Sequence, residues 1–200
     1  MMMIIPYKYI CVRLDVSLAG ECDRAETYPL ENNFCDGNLF LIEPRRFATL
    51  KILKRLESNS GKDIIEKFDL KCFVKKYGSR KRKVTSLIMD QRALSGIGNI
   101  YACESLCRAG INPERIAATL TEDDWKRVFC HAGELLKAAI KKRGTSISDW
   151  RDLYACKGEN QFELKVYGRD GENCCLCGNV VARIKQGGRS TIYCSGCQKT

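Results

Sequence analysis

Four cysteines near the C-terminus constrain this chain more than any other feature. Cys174 and Cys177 form one Cys-x-x-Cys pair and Cys194 and Cys197 another, with 16 residues between the pairs. Two such knuckles can place four sulfurs at the corners of a tetrahedron about 2.3 Å from one ion, the ligand set of a structural zinc site. The segment between them reads as a two-stranded ribbon. Val180 to Lys185 is β-branched and apolar-rich, Gly187-Gly188 is a hairpin turn, and Ser190 to Tyr193 returns the chain. A ribbon this small cannot bury enough surface to fold alone, so a metal is expected to hold it together. The expectation is one zinc per chain, bound by Cys174, Cys177, Cys194 and Cys197, structural because all four ligand positions are filled. Two disulfides or free thiols are the competing reading. Cys175 would leave only one residue between ligand sulfurs, which makes it the poorer ligand. The ribbon also carries Arg183, Lys185 and Arg189, positive charge of the kind that meets a phosphate backbone.

Charge points the same way. The 200 residues carry a formal net charge of +10, which favours a polyanionic partner. Lys75 to Lys83 holds six Lys or Arg in nine residues, a run that fits a DNA contact, a nuclear-import signal or a solvated loop. No apolar run approaches a membrane span, and Pro6, Lys8 and Arg13 interrupt the apolar start too early for a secretory signal. Of 13 cysteines, the nine outside the quartet show no framework spacing. Reduced thiols in an intracellular compartment, the nucleus or the cytoplasm and nucleoid, are the simpler expectation.

Along the chain, residues 8–53 read as strands, with Tyr9 to Leu14 and Leu39 to Ile42 apolar-rich and a turn at Asp36-Gly37. Arg45, Arg46 and Phe47 follow. On a loop they would suit entry into an opened duplex, arginines on a base edge or phosphate and the ring wedged into the stack. By composition alone, a surface arginine pair with Phe47 in the core is favoured. Residues 54–62 read as a linker. Ile64, Ile65 and Phe68 predict a short amphipathic helix, and residues 84–92 another. Ser95-Gly96-Ile97-Gly98-Asn99 predicts a glycine-hinged turn before a helix over 100–108, whose N-terminus offers unpaired N–H groups to an anion. Gly110 is expected to end that helix. Thr121 to Asp124 predicts a capping box, and the helix after it carries an apolar stripe from Trp125 to Ile140. His131, the only histidine, reads as a packed or surface residue rather than a catalytic one.

Together these motifs resemble a known family. Leu87 to Gln91, Gly96-Ile-Gly98-Asn99-Ile-Tyr101 and Ala109 to Pro113 are similar to the helix–two-turns–helix of the formamidopyrimidine-DNA glycosylase and endonuclease VIII family. Val166 to Arg169, Gly171-Glu172-x-Cys174 and Arg189-Ser-Thr-x-Tyr193-Cys194 resemble its zinc-finger end, and Glu43 to Phe47 its Asp-Pro-Arg-Arg-Phe loop. The likeness is nearly continuous from about residue 36 to Lys199. Lys8-Tyr9 and Val16 to Gly20 resemble more weakly a lysine segment and the void-filling loop, with Leu18 as the wedge.

The resemblance implies an α+β fold in three parts: a partial β-rich glycosylase domain over 1–55, a helical domain over 62–165 and a zinc-finger hairpin over 166–200. It implies base-excision repair, in which a damaged nucleotide is flipped from the duplex, an amine attacks its sugar carbon, and elimination cuts the strand. The partner would be double-stranded DNA with oxidised or abasic sites, bound by a monomer. Asn99 and Arg189 would hold phosphates, Arg45 and Phe47 would fill the void beside Arg46, and Lys8 would contact phosphate. The family's nucleophile is an N-terminal proline followed by a glutamate, whereas this sequence begins Met1-Met2-Met3-Ile4 with no glutamate before Glu21. No catalytic residue is therefore assigned, and Lys8 is the remaining candidate amine. The expectation for these 200 residues is binding of an abasic-site analogue without excision of an oxidised base. The alternative to a glycosylase with AP-lyase activity is accordingly a truncated homologue that grips damaged DNA without cutting.

Overall fold

The computed structural model describes residues 11–15, 30–34, 37–42, 61–65, 68–147 and 156–199, the first three stretches as backbone only. Lys8, Leu18, Arg45, Arg46 and Phe47 lie outside these residues. Three strands, β1 (Cys11–Asp15), β2 (Leu30–Phe34) and β3 (Gly37–Ile42), make an antiparallel sheet in the order β1-β3-β2. Phe34 pairs with Gly37, so β2 and β3 are joined across two residues, and Gly37 opens the second strand.

The helical part begins with a parallel pairing of β4 (Lys62–Asp63) with β5 (Leu94–Ser95). Ile64, Ile65 and Phe68, expected on a short helix, are not helical: Ile64 and Ile65 form a bend, the first buried and the second exposed. The reason is Asp69. Its carboxylate accepts from the Cys72 N–H, so the helix starts after it as α1 (Leu70–Phe73) and runs on into a π turn, Val74–Gly78. Helix α2 (Val84–Ile88) is shorter than the 84–92 expected, and α3 (Asn99–Ala109) ends on Gly110 in the left-handed region. Helix α4 (Glu122–Lys141) opens on the expected capping box: Thr121 Oγ accepts from the Asp124 N–H, and Asp124 accepts from the Thr121 N–H.

The core gathers Phe73, Leu87, Ile88, Leu94, Leu106, Trp125, Val128 and Phe129. Trp125 stacks on Phe129 at 5.6 Å between ring centroids, and Phe73 meets both edge-on. Ile140, placed on the same stripe by its spacing, is 64% exposed: Ala139 is the last buried position of the helix and Ile140 lies just beyond it. His131 lies at the surface, paired with Glu134 at 3.2 Å.

At the C-terminal end β6 (Val181–Gln186) and β7 (Arg189–Cys194) form the expected ribbon. Both residues of its turn, Gly187 and Gly188, have positive φ (54° and 76°), the turn whose twist matches a hairpin. Strand β7 and α4 pack against α3. Cys103 and Cys107 of α3 share a second apolar cluster with Val166, Val181 and Ile192. Beyond the ribbon, buried Gln198 accepts from the Cys194 N–H and donates to the Ile111 carbonyl, stitching the chain end to the turn after α3.

Candidate nucleic-acid interface and metal centre

The sulfurs of Cys174, Cys177, Cys194 and Cys197 all lie within 4.8 Å of one another. Cys174 Sγ and Cys197 Sγ are 3.7 Å apart, and Cys177 Sγ and Cys194 Sγ 3.4 Å. A disulfide needs about 2.05 Å, so these are free thiols. A tetrahedron with metal–sulfur distances of about 2.3 Å has edges of about 3.8 Å, close to what the quartet presents. These four residues can therefore hold a metal ion. Packing brings them together: a Cβ on Gly196 would run into the Asn179 side-chain amide and come 2.9 Å from Cys177 Sγ, so the glycine lets the second knuckle close without moving them. Burial, with Cys177 and Cys174 hydrogen-bonded beside it, raises the Cys194 thiol above its ordinary value. A divalent cation reverses that preference by drawing the thiols into thiolate form. Cys175 is exposed and outside the quartet.

The ribbon is fastened to the helices by a side chain that sequence reasoning passed over. Glu104 of α3 is fully buried, and its carboxylate accepts from the backbone N–H groups of Lys165, Val166 and Tyr167 at 2.9–3.0 Å. Three consecutive N–H groups wrapped on one carboxylate make a strong, directional joint. The signal available was that Glu104 is the one acid on α3.

That joint sets Tyr167 beside the start of α3. Gly98 is the N-cap and offers no side-chain bond, so the N–H groups of Asn99, Ile100 and Tyr101 have no acceptor within the helix. Ala102 is the first to bond back, to the Gly98 carbonyl. Asn99 Nδ2 donates to the Ser190 carbonyl of β7 at 2.7 Å and to Tyr167 Oη at 3.3 Å. With its oxygen engaged as an acceptor, the Tyr167 hydroxyl keeps its own hydrogen for a further partner. Among the described residues, Asn99 Oδ1 is buried and finds no hydrogen-bond partner.

These groups line a cavity of about 560 Å³ together with Gly96, Gly98, Arg183 and Arg189. A Cβ on Gly98 would meet no atom of the described residues within 4 Å, so a side chain there would enter the cavity. Among the described residues, Arg189 Nη1 has the Met89 sulfur beside it, at 3.7 Å. Of the residues expected at the interface, Asn99 and Arg189 thus come together from elements 90 residues apart, whereas Lys8, Leu18, Arg45, Arg46 and Phe47 are outside the described residues. Helix-terminal N–H groups, the positive end of the helix dipole, the Tyr167 hydroxyl and the Arg189 guanidinium facing one cavity can receive an anion such as phosphate.

Part of the basic run is already engaged. Arg82 pairs with Asp90 at 2.8 Å and Lys83 with Glu114 at 2.7 Å, while Lys76 and Arg80 lie over the Tyr77 ring. Among the described residues, no helix is long and apolar enough to cross a membrane.

The chain is similar to known proteins in sequence and in fold. The model of the formamidopyrimidine-DNA glycosylase H2TH domain matches residues 61–150. The formamidopyrimidine-DNA glycosylase of Desulfitobacterium hafniense is 37% identical over 170 residues, covering 81% of this chain and 62% of that protein. Among solved structures, a mutant Lactococcus lactis FPG in complex with Fapy-dG containing DNA superposes with a TM-score of 0.84 at 30% identity, over 98% of this chain and 73% of that one. Lactococcus lactis Fpg in complex with an abasic site containing DNA gives a TM-score of 0.82 at 31% identity, over 96% and 72%. The chain thus spans about 62% of the length of the first of these relatives.

Proposed function

Because the chain belongs to the formamidopyrimidine-DNA glycosylase family, we propose that it works in base-excision repair, gripping duplex DNA at an oxidised base or an abasic site. The observation that carries this reading is the uncapped start of α3, opening with Asn99, Tyr167 and Arg189 onto one cavity. A backbone phosphate fits it: the N–H groups and guanidinium supply donors and charge without reading any base edge. Arg45 and Phe47 are the residues to fill the void left by a flipped nucleotide, with Arg46 as a further DNA contact, Leu18 as wedge and Lys8 on a phosphate. The three parts 1–55, 62–165 and 166–200 then carry lesion handling, backbone grip and ribbon grip in turn.

The ion in the cysteine quartet is zinc in this reading. Four thiolates at tetrahedral spacing suit a closed structural site, and a closed site supplies rigidity to the ribbon. The quartet's sulfurs, too far apart for disulfides, support work in a reducing compartment where DNA is kept.

Removal of the oxidised base and cleavage at the abasic site rest on family membership, and borohydride trapping on a duplex with one oxidised base tests them. A covalent adduct carries the family's chemistry to this chain, and its loss in Lys8→Ala would assign the attacking amine to Lys8. Tight binding of a duplex with a tetrahydrofuran abasic analogue, with no adduct on the oxidised one, would reduce the function to lesion recognition. Absence of DNA binding at low salt would remove both parts.

A further inference from the structure

Among the described residues that line the cavity is one carboxylate, Asp170, which is out of place in a receptor for phosphate. It is paired with Arg183 of β6, Nη1 to Oδ2 at 3.2 Å. The same guanidinium donates through Nε and Nη2 to Ser190 Oγ at 3.0 and 2.8 Å. Ser190 is therefore shared: its carbonyl takes the Asn99 amide and its hydroxyl takes Arg183. The register explains the approach. Arg183 stands opposite Ile192, and Ser190 lies two residues from Ile192 on β7, so all three fall on one face of the ribbon. That face is apolar and buried where Val181, Ile192 and Cys194 meet α3, and polar where it reaches the start of the helix.

We propose that Arg183 is a further phosphate-binding residue of this cavity, held ready by Ser190 and restrained by Asp170, whose carboxylate a DNA phosphate displaces. The proposal rests on the reading of the cavity as a phosphate receptor. A guanidinium has five N–H donors in a rigid fork, and three are engaged here. Ser190 fixes the plane of the fork through two of them, so it stays aimed when the third changes partner. Asp170 satisfies that third donor while the cavity lacks an anion, and it also repels any anion that enters. The pair thus lowers affinity for phosphates generally and favours a duplex, which brings enough other contacts to drive the exchange.

Binding of a duplex with one tetrahydrofuran abasic analogue, titrated against salt, tests this, with zinc content measured to confirm an intact ribbon in every variant. Arg183→Ala is expected to weaken binding about tenfold and to reduce the magnitude of the log K against log[salt] slope by about 0.9. Lys141→Ala, which removes a charge from outside the cavity lining, should leave the slope unchanged. Asp170→Asn is expected to tighten binding severalfold, and to lose most of that gain when combined with Arg183→Ala. If Arg183→Ala leaves the slope unchanged while Arg189→Ala lowers it, the proposal is overturned and the phosphate cavity stands. If neither variant changes it, the reading of the cavity falls as well. Equal tightening by Asp170→Asn with and without Arg183 would show plain charge repulsion and overturn the restraint.

Discussion

Glu104 and Asn99 show how single side chains join the helices to the ribbon. Glu104→Gln replaces one carboxylate oxygen by an N–H donor facing backbone donors, leaving buried N–H groups without an acceptor. A loss of about 3 kcal/mol is expected in urea denaturation of the zinc-loaded protein, and a change under about 0.5 kcal/mol would contradict the role given to this joint. Asn99→Ala should weaken DNA binding alike for all sequences, because in the proposed reading the cavity takes a backbone phosphate and not a base edge; a sequence-dependent loss would count against it. At this scale the sequence was half legible. Asn99 and Arg189 stood out through short motifs. Tyr167 and Glu104 gained their meaning from partners more than 60 residues away, which local spacing does not encode.

Among the elements, those set by neighbours in sequence matched their expectation: the Gly187-Gly188 hairpin, the Gly110 end of α3 and the Thr121–Asp124 box. Those decided by competition did not. Ile64, Ile65 and Phe68 have helical spacing, but the Asp69 cap starts the helix later. Ile140 continues the stripe of α4 past the end of the core. The capping box makes two predictions. Thr121→Ala should cost about 1 kcal/mol of stability. Burial alone would raise the Asp124 carboxyl, but the Thr121 N–H, with Arg115 and Arg127, more than offsets it and holds it below its ordinary value of 3.8. The stability Asp124 contributes is therefore complete above that value and lost as pH falls through the lower, folded-state value. Acid titration of stability should show this loss below about pH 4, and Asp124→Asn should reduce it; an unchanged acid limb would contradict the assignment.

For the whole molecule, the cysteine spacing was the most legible feature and the placement of the ribbon against α3 the least, since that packing depends on Glu104, Cys103, Cys107 and Gln198 acting together. Removal of metal by a chelator, or Cys194→Ser, should unfold the ribbon and with it weaken DNA binding, because Tyr167, Arg189 and Ser190 all belong to the part it organises. Purified protein is expected to contain one zinc, and its absence by metal analysis would remove that claim. The central claim is that the open start of α3 receives a DNA phosphate. Backbone amide chemical shifts, followed as a duplex with a tetrahydrofuran site is added, test it most directly. The account predicts the largest shifts at Asn99, Ile100, Tyr101 and Tyr167, reversed by high salt; a duplex that binds while those amides stay unmoved would contradict it.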